Sequence, residues 1–333
     1  KKINVIFEQP DFLCTKFSKH KKIDGSKIHK DDIEFLLKEA KKQLVLNDKK
    51  QSIIHIFNHN YKVDGKTFVE EPIDVYADFL THEMTFITIP KNNLKNINQV
   101  FINCDIEIDR LISRTFALGA ELLNHKQLEF GSGILDLGFE KISLGLFKNL
   151  ALVHSATLPI GINHITKDIS KVCSLSLDES EKIKNNIDFA FKKNQELFDE
   201  NDYLKNIYFT NSNFRKISKK LILSVIRSRL DEIFNMLKKQ LVVPGFSLNS
   251  STNLLLTGGG SNLLNIEKYF INFFGPNVKK IDENKINLKK DFASCLGAIK
   301  IIKDGWETEA IPETSGKNIE KIGFFAKFFK TNK

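Results

Sequence analysis

The chain has 333 residues, with 50 lysines and arginines against 41 aspartates and glutamates, a formal net charge of +9 and 41% hydrophobic residues. That length exceeds one ordinary core and calls for two or more domains, and the composition is that of a globular protein without a low-complexity block. No run approaches the ~18 apolar residues of a membrane span, and the opening does not read as a signal segment.

Cys14, Cys104, Cys173 and Cys295 lie far apart, with no CxxC and no histidine at zinc spacing. They read as four reduced thiols of a cytosolic protein. Basic residues are interspersed with acids along most of the chain, and the aromatics are mostly Phe, without a basic and aromatic stripe for stacking bases. Nucleic acid is therefore set aside as a partner.

The chain starts at Lys1 and enters a strand-like run at once, Ile3–Phe7, from which we expect an upstream part to be missing. Ile3–Phe7 and Phe12–Phe17 are predicted to form a strand pair joined at Gln9-Pro10. Asp31 and Asp32 suit the positive end of a helix, whose stripe Ile33, Leu36, Leu37, Ala40 and Leu44 has helical spacing. Strands are predicted at Ile53–Phe57 and Leu80–Ile89, the second ended by Pro90. A helix over Asn92–Asn103 would bury Leu94, Ile97, Val100 and Phe101, and Ile106–Leu111 returns as a strand. His55 and His59 lie in a strand pattern, where a spacing of four does not make a helical metal site.

After a helix with small residues at Ala117, Gly119 and Ala120 comes Gly131–Phe147, GSGILDLGFEKISLGLF. A short apolar run, a turn at Asp136-Leu137-Gly138 and an alternating strand make this a hairpin. Its glycine permits either a plain turn or the close approach of a phosphate to backbone amides. A strand over Ala151–Leu158 ends at Pro159. Gly161, Asn163 and Thr166 open a helix containing Asp168 and Ile169, and a second helix runs from Asp178 to about Phe191 with Glu181 and Lys184. The longest helix, about Phe214–Leu241, is expected to turn Ile217, Leu221, Val225, Leu230, Ile233, Phe234 and Leu237 inward. Strand Asn253–Leu256 runs into Thr257, Gly258, Gly259, Gly260 and Ser261, with a helix expected to begin there and to offer its free amides. A strand at Val278–Ile281 and a helix over Asp291–Lys303 follow.

Residues 306–316 read as a linker. Lys317–Lys330, KNIEKIGFFAKFFK, places Ile319, Ile322, Phe325 and Phe329 on one helical arc with Phe328 beside it, and Lys321, Lys327 and Lys330 on the remainder. Too short to span a bilayer, it suits the interface of an anionic membrane, or docking on the protein's own surface. One such helix binds weakly, so attachment calls for several copies held together.

In order and spacing these parts resemble the bacterial cell-division FtsA family, within the actin-like ATPase superfamily, across almost the whole chain. Asp136-Leu137-Gly138 stands where the family has its second phosphate loop. Gly161–Ile169 (GINHITKDI) resembles its glycine turn and Thr-x-Asp-Ile helix start. Ser180–Lys184 resembles its adenosine-side helix, and Leu256–Ser261 its adenosine loop. The resemblance implies an α/β, actin-like (RNase H-like) ATPase fold with the FtsA-type 1C insertion, the first part of subdomain 1A being absent. It divides the chain into subdomain 1C over 1–105, the first part of 2A with an altered phosphate loop over 106–175, and 2B over 176–250. The second part of 2A with the adenosine loop covers 251–305, followed by the linker and the membrane-targeting helix over 317–330.

It also implies ATP with Mg, contacted by Asp136, Gly138 and Gly161 on the phosphate side, Glu181 and Lys184 near the ribose, and Gly258, Gly259 and Gly260 around the adenosine. No catalytic residue is assigned. Phe139-Glu140-Lys141 replaces the family's Gly-Gly-Thr, and Ser143 its second acid, which argues against hydrolysis. The implied role is a tether that holds FtsZ filaments, by the FtsZ C-terminal tail, to the cytoplasmic face of the inner membrane at the division site. Self-association and later divisome proteins complete the implied partners. The alternatives are the actin-like protein of type IV pilus assembly and an active ATPase or sugar kinase of the same fold.

Overall fold

The alternating run before Pro90 forms β5 (Tyr76–Pro90), which lies inside a four-stranded antiparallel sheet between β2 (Leu13–Lys27) and β3 (Gln51–Val63). The short β4 (Lys66–Phe68) pairs with the end of β3 and completes the order β2-β5-β3-β4. This computed structural model describes residues 1–190, 196–243, 246, 252–281 and 292–304. They fall into two units: residues 1–132, 145–156 and 292–304, and residues 133–144 together with those within 157–281.

In the first unit, α1 (Lys30–Asn47) covers one face of the sheet. Its buried stripe of Ile33, Leu36, Ala40 and Leu44 packs onto Leu80, Met84 and Phe86 of β5 and onto Phe17, Ile56, Tyr61 and Val63. The stripe matches the sequence expectation, Leu37 lying half-buried at its margin. Asp32 secures the start of α1 by accepting from the His29 amide at 2.7 Å.

Strand β1 (Lys2–Phe7) does not pair with the strand that follows it. It runs parallel to β6 (Glu107–Ser113), so all of β2 to α2 (Lys91–Ile102) is inserted between two neighbouring strands. The expected local hairpin fails because Val5 and Phe7 are covered by a distant cluster, Ile54, Ile89, Ile108 and Leu111, joined by Leu94, Ile97 and Phe101 of α2. Val100, expected inside, is 63% exposed, to one side of the stripe that α2 turns to that cluster. Helix α3 (Arg114–Leu122) carries the expected small residues, and α9 (Ala293–Asp304) lies on it so closely that a Cβ at Gly297 would strike the Ala117 backbone. A short α4 (His125–Phe130), not expected, is opened by a capping box of Asn124 and Gln127.

A five-stranded sheet has the order β11-β10-β7-β8-β9. Its strands are β7 (Ser132–Leu137), β8 (Ile142–Lys148), β9 (Ala151–Leu158), β10 (Asn253–Thr257) and β11 (Val278–Lys280), and β10 and β11 run parallel. Every residue of β7 is buried, so the strand is covered on both faces. The helices of the second unit are α5 (Asn163–Cys173), which packs on α6 (Leu177–Asn186) and α7 (Lys219–Gln240), and α8 (Ile266–Phe274), which packs on β11. Helix α6 stops at Asn186 because Ile187 turns extended and it and Phe189 are buried beyond the helix; its expected end at Phe191 lies outside the described residues.

Helix α7 starts at Lys219, not Phe214, since the Ser218 side chain accepts from the Leu221 amide and caps it. Its inner face is Ile222, Ile226, Leu230, Ile233, Phe234 and Leu237. Leu221 and Val225, expected inside, sit one residue off that stripe, about 100° round the helix, and Leu221 is 40% exposed. No helix among the described residues is long and apolar enough to cross a membrane.

In the inserted sheet two histidines, His55 and His82, are buried and a third, His59, is half-buried. Both rings of His55 and His82 are fully enclosed. Nε2 of His55 accepts from the Ser113 amide at 2.9 Å, while His82 stacks on Tyr61 at 4.4 Å and its ring nitrogens meet no hydrogen-bond partner among the described residues. Burial pushes His82 down to about 3 and His59 to about 4, and holds His55 well below the usual range, the Arg110 charge adding to the effect. An unfolded chain takes up these protons below pH ~6.5 whereas the folded one does not until the lower values are reached. Stability is therefore full above pH ~6.5 and falls on acidification. Each ring should cost on the order of 1 kcal/mol per pH unit as the pH falls below ~6. His82→Phe, which keeps the stacking, should flatten that slope by about one ring's share in urea unfolding of the whole chain; an unchanged slope would contradict the assignment.

Candidate functional site

The sequence-predicted site residues of the core all belong to the second unit, and two groups of them meet at the end of β7. Asp136 and Leu137 are its last two residues, and the turn itself is Gly138–Lys141, beginning later than the sequence suggests. A Cβ on Gly161 would strike the Phe139 carbonyl and lie 2.6 Å from the Lys141 amide nitrogen. One on Gly258 would strike the Asp136 carboxylate, and one on Gly260 would lie 2.9 Å from the Leu137 carbonyl oxygen. These glycines let three loops close on one strand end. Gly258 also has φ +79, where a side chain is strained. Gly259 differs: a Cβ there would meet nothing within 4 Å among the described residues.

No helix begins at the glycines. Gly259–Asn262 form a single 3₁₀ turn, in which the Ser261 amide and hydroxyl both donate to the Gly258 carbonyl at 3.0 and 2.7 Å. Helix α8 starts only at Ile266, after Asn265 in the left-handed region. Of the amides expected to point outward, that of Ser261 is thus spent within the turn.

Glu181 and Lys184 lie three apart on α6 and bond to each other. Glu181 Oε2 accepts from Lys184 Nζ at 2.7 Å and from Thr166 Oγ1 at 2.6 Å, and Asn185 Nδ2 lies 3.3 Å from Oε1. Burial alone would raise the Glu181 carboxyl, but the Lys184 and Thr166 bonds outweigh it and hold the group below its ordinary value. The Lys184 side chain is 3% exposed and that of Glu181 38%. The carboxylate is the accessible partner, and the ammonium orients it from behind.

Three further polar groups matter here: Glu179, which the sequence reading passed over, and Asp168 and Glu140, which it named without their partners. Glu179, fully buried, closes the start of α6: it accepts from the Ser176, Asn211 and Ser212 amides and from the Ser212 hydroxyl. Although burial opposes it, these bonds hold the carboxyl far below the usual carboxylate range. The signal in the sequence is the capping box Ser176–Glu179. Asp168 on α5 and Arg229 on α7 form a two-pronged pair, Nε to Oδ2 at 2.5 Å and Nη2 to Oδ1 at 2.9 Å. Finally, Glu140 in the hairpin turn reaches Asn163 and Lys167 of α5. These last two links join residues far apart in sequence, for which no local pattern exists.

Ile319, Lys321, Ile322, Phe325, Lys327, Phe328, Phe329 and Lys330 lie outside the described residues. Among the described residues no cluster of three metal-ligating side chains occurs.

The two neighbouring glycines offer a direct contrast. Gly258→Ala should lower stability by roughly 2 kcal/mol or more, and Gly259→Ala should leave it within about 0.5 kcal/mol. Urea unfolding of both variants checks this; equal losses would contradict the packing described.

Residues 133–297 match the family model described as cell division protein FtsA, and residues 13–88 match the SHS2 domain inserted in FTSA. The second match begins with β2 and ends inside β5, the inserted sheet. The cell division protein FtsA of Agrobacterium fabrum is 23% identical over 261 residues, covering 77% of this chain and 58% of the relative. That of Buchnera aphidicola subsp. Schizaphis graminum is 28% identical over 278 residues, covering 80% and 63%. The chain therefore spans about three fifths of the length of these curated relatives. Among solved structures, the PilM-PilN type IV pilus biogenesis complex superposes with a TM-score of 0.54 at 14% identity, covering 86% of this chain and 75% of that one. With its inserted sheet between β1 and β6 and its glycine loops around β7, the chain has the actin-like ATPase fold and belongs to the FtsA family of cell-division proteins.

Proposed function

We propose that this protein ties FtsZ filaments to the cytoplasmic face of the inner membrane at the division site, and that later division proteins gather on it there. The observation that carries the reading is the amphipathic pattern of Lys317–Lys330, one aromatic and aliphatic arc against a lysine arc, in a chain of the FtsA family. Residues 176–250 are the surface offered to the FtsZ C-terminal tail, and the inserted sheet takes part in self-association. Self-association matters physically. One short interfacial helix holds a membrane weakly, and several joined in an oligomer multiply the effect.

ATP with Mg is the cofactor this reading carries with it, and the second unit fits it unevenly. The adenosine side suits a nucleoside. Glu181 presents a carboxylate to which ribose hydroxyls can donate, Lys184 orients it, and Gly259 leaves its backbone open to a flat ring beside Gly258 and Gly260. On the phosphate side, Asp136, Gly138 and Gly161 stand at the strand end, but the Ile162 and Asn163 amides that open α5, and Lys167 behind them, are already bonded to the turn. A phosphate at the start of α5 has to displace Glu140 from Asn163 and Lys167, and no hydrolytic step is assigned to these residues.

The membrane part is tested by sedimentation with vesicles of phosphatidylglycerol and phosphatidylethanolamine. The full chain should pellet with them, and should do so less at high salt because the lysine arc is screened. Removing residues 317–333 should abolish pelleting. Binding that survives the deletion would end the tether reading.

A further inference from the structure

The turn Gly138–Lys141 is fastened to the first turn of α5 by three sets of bonds. The Gly138 and Phe139 carbonyls accept from the Ile162 and Asn163 amides at 3.0 and 2.9 Å. Glu140 Oε1 accepts from Asn163 Nδ2 at 2.7 Å, and both its carboxylate oxygens lie 3.1 Å from Lys167 Nζ. The missing Cβ of Gly161 leaves the space through which the backbone of the turn passes. The start of a helix with a lysine one turn on is a place that attracts an anion. Here the chain supplies that anion itself. The Asn163 and Lys167 bonds hold the Glu140 carboxyl below its ordinary value, so it carries its charge at neutral pH.

We propose that Glu140 is a specificity-determining residue that fills the anion position at the start of α5, so that this protein binds adenosine and its phosphorylated forms almost alike. The inference rests on the nucleotide reading above and assigns recognition to the nucleoside rather than to its phosphates. Two features set its strength. At the start of α5 the Ile162 and Asn163 amides, the Asn163 side-chain amide and the Lys167 ammonium are already bonded, and a phosphate arriving there meets a carboxylate of like charge. Against this, the Glu140 side chain is 57% exposed and Lys167 46%, so the ion pair itself contributes little and is screened by salt. Glu140 therefore acts through its charge more than through a rigid closure. Neutralising it should free Lys167 for a phosphate while Asn163 keeps a hydrogen-bond acceptor.

The test is isothermal titration of the full chain and of Glu140→Gln with adenosine, ADP and ATP, and with inorganic tripolyphosphate. Glu140→Ala serves as a second variant, and melting curves serve as a control for folding. The wild-type chain should bind adenosine and ATP within about twofold of each other. Glu140→Gln should bind ATP roughly tenfold more tightly, the size of one partly screened charge contact, with adenosine unchanged. Wild-type preference for ATP over adenosine by tenfold or more, or an unchanged ratio in both variants, would overturn the proposal. If neither adenosine nor ATP binds any of the proteins, the nucleotide reading fails and tripolyphosphate judges Glu140 alone. Tighter binding of it to the Gln variant upholds the anion position, and equal binding overturns it.

Discussion

The end of β7 is the point on which the second unit closes. Leu137 is fully buried, and its carbonyl is approached by the backbone at Gly258 and Gly260. The next residues in chain, Gly138 and Phe139, take the amides that open α5. One strand end thus receives the loop before α5 and the loop after β10, from segments about a hundred residues apart in sequence. Such close backbone approach is possible only where side chains are missing. The resulting arrangement leaves Gly259 open while its neighbours are enclosed. A glycine run that looks uniform in sequence therefore contains two packing positions and one exposed position.

Polar groups hold the helices around that centre in ways that differ in strength. Glu179 is enclosed and satisfied by four donors, so it acts as a fixed part of the framework. Asp168 and Arg229 tie α5 to α7 through a two-pronged pair at the edge of solvent. Glu140 is more exposed still, and its importance lies in where its charge sits. The same residue type thus serves as a structural anchor in one place and as an electrostatic influence in another, and burial makes the difference.

The inserted sheet rests on another principle. It buries aliphatic and aromatic side chains between β5 and α1, but it also encloses His82 on a ring stack without hydrogen-bond partners among the described residues. An imidazole is tolerated there because it is neutral near pH 7 and stacks flat on Tyr61. The sequence showed that His55 and His59 sit in a strand and not on a helical face. It could not show that His82, from another strand, lies opposite Tyr61, since that depends on the register of β3 against β5.

By itself the sequence determined the α1 stripe, the strands that end at Pro90 and Pro159, the small residues of α3, and the order of glycine motifs that marks the family. Each is a local pattern whose period or composition carries its meaning. It misjudged the partner of β1, the start and inner face of α7, and the place where α8 begins. Those depend on which distant residues cover Val5 and Phe7, on the Ser218 cap, and on the turn that consumes the Gly258 carbonyl. For the candidate site the sequence named Glu181, Lys184 and the glycines, yet left the effect of Glu140 open because repulsion by one residue and attraction by the next could cancel. Only the tertiary structure decided that Glu140 turns onto Asn163 and Lys167, since a charge acts through distance and distance is set by the fold.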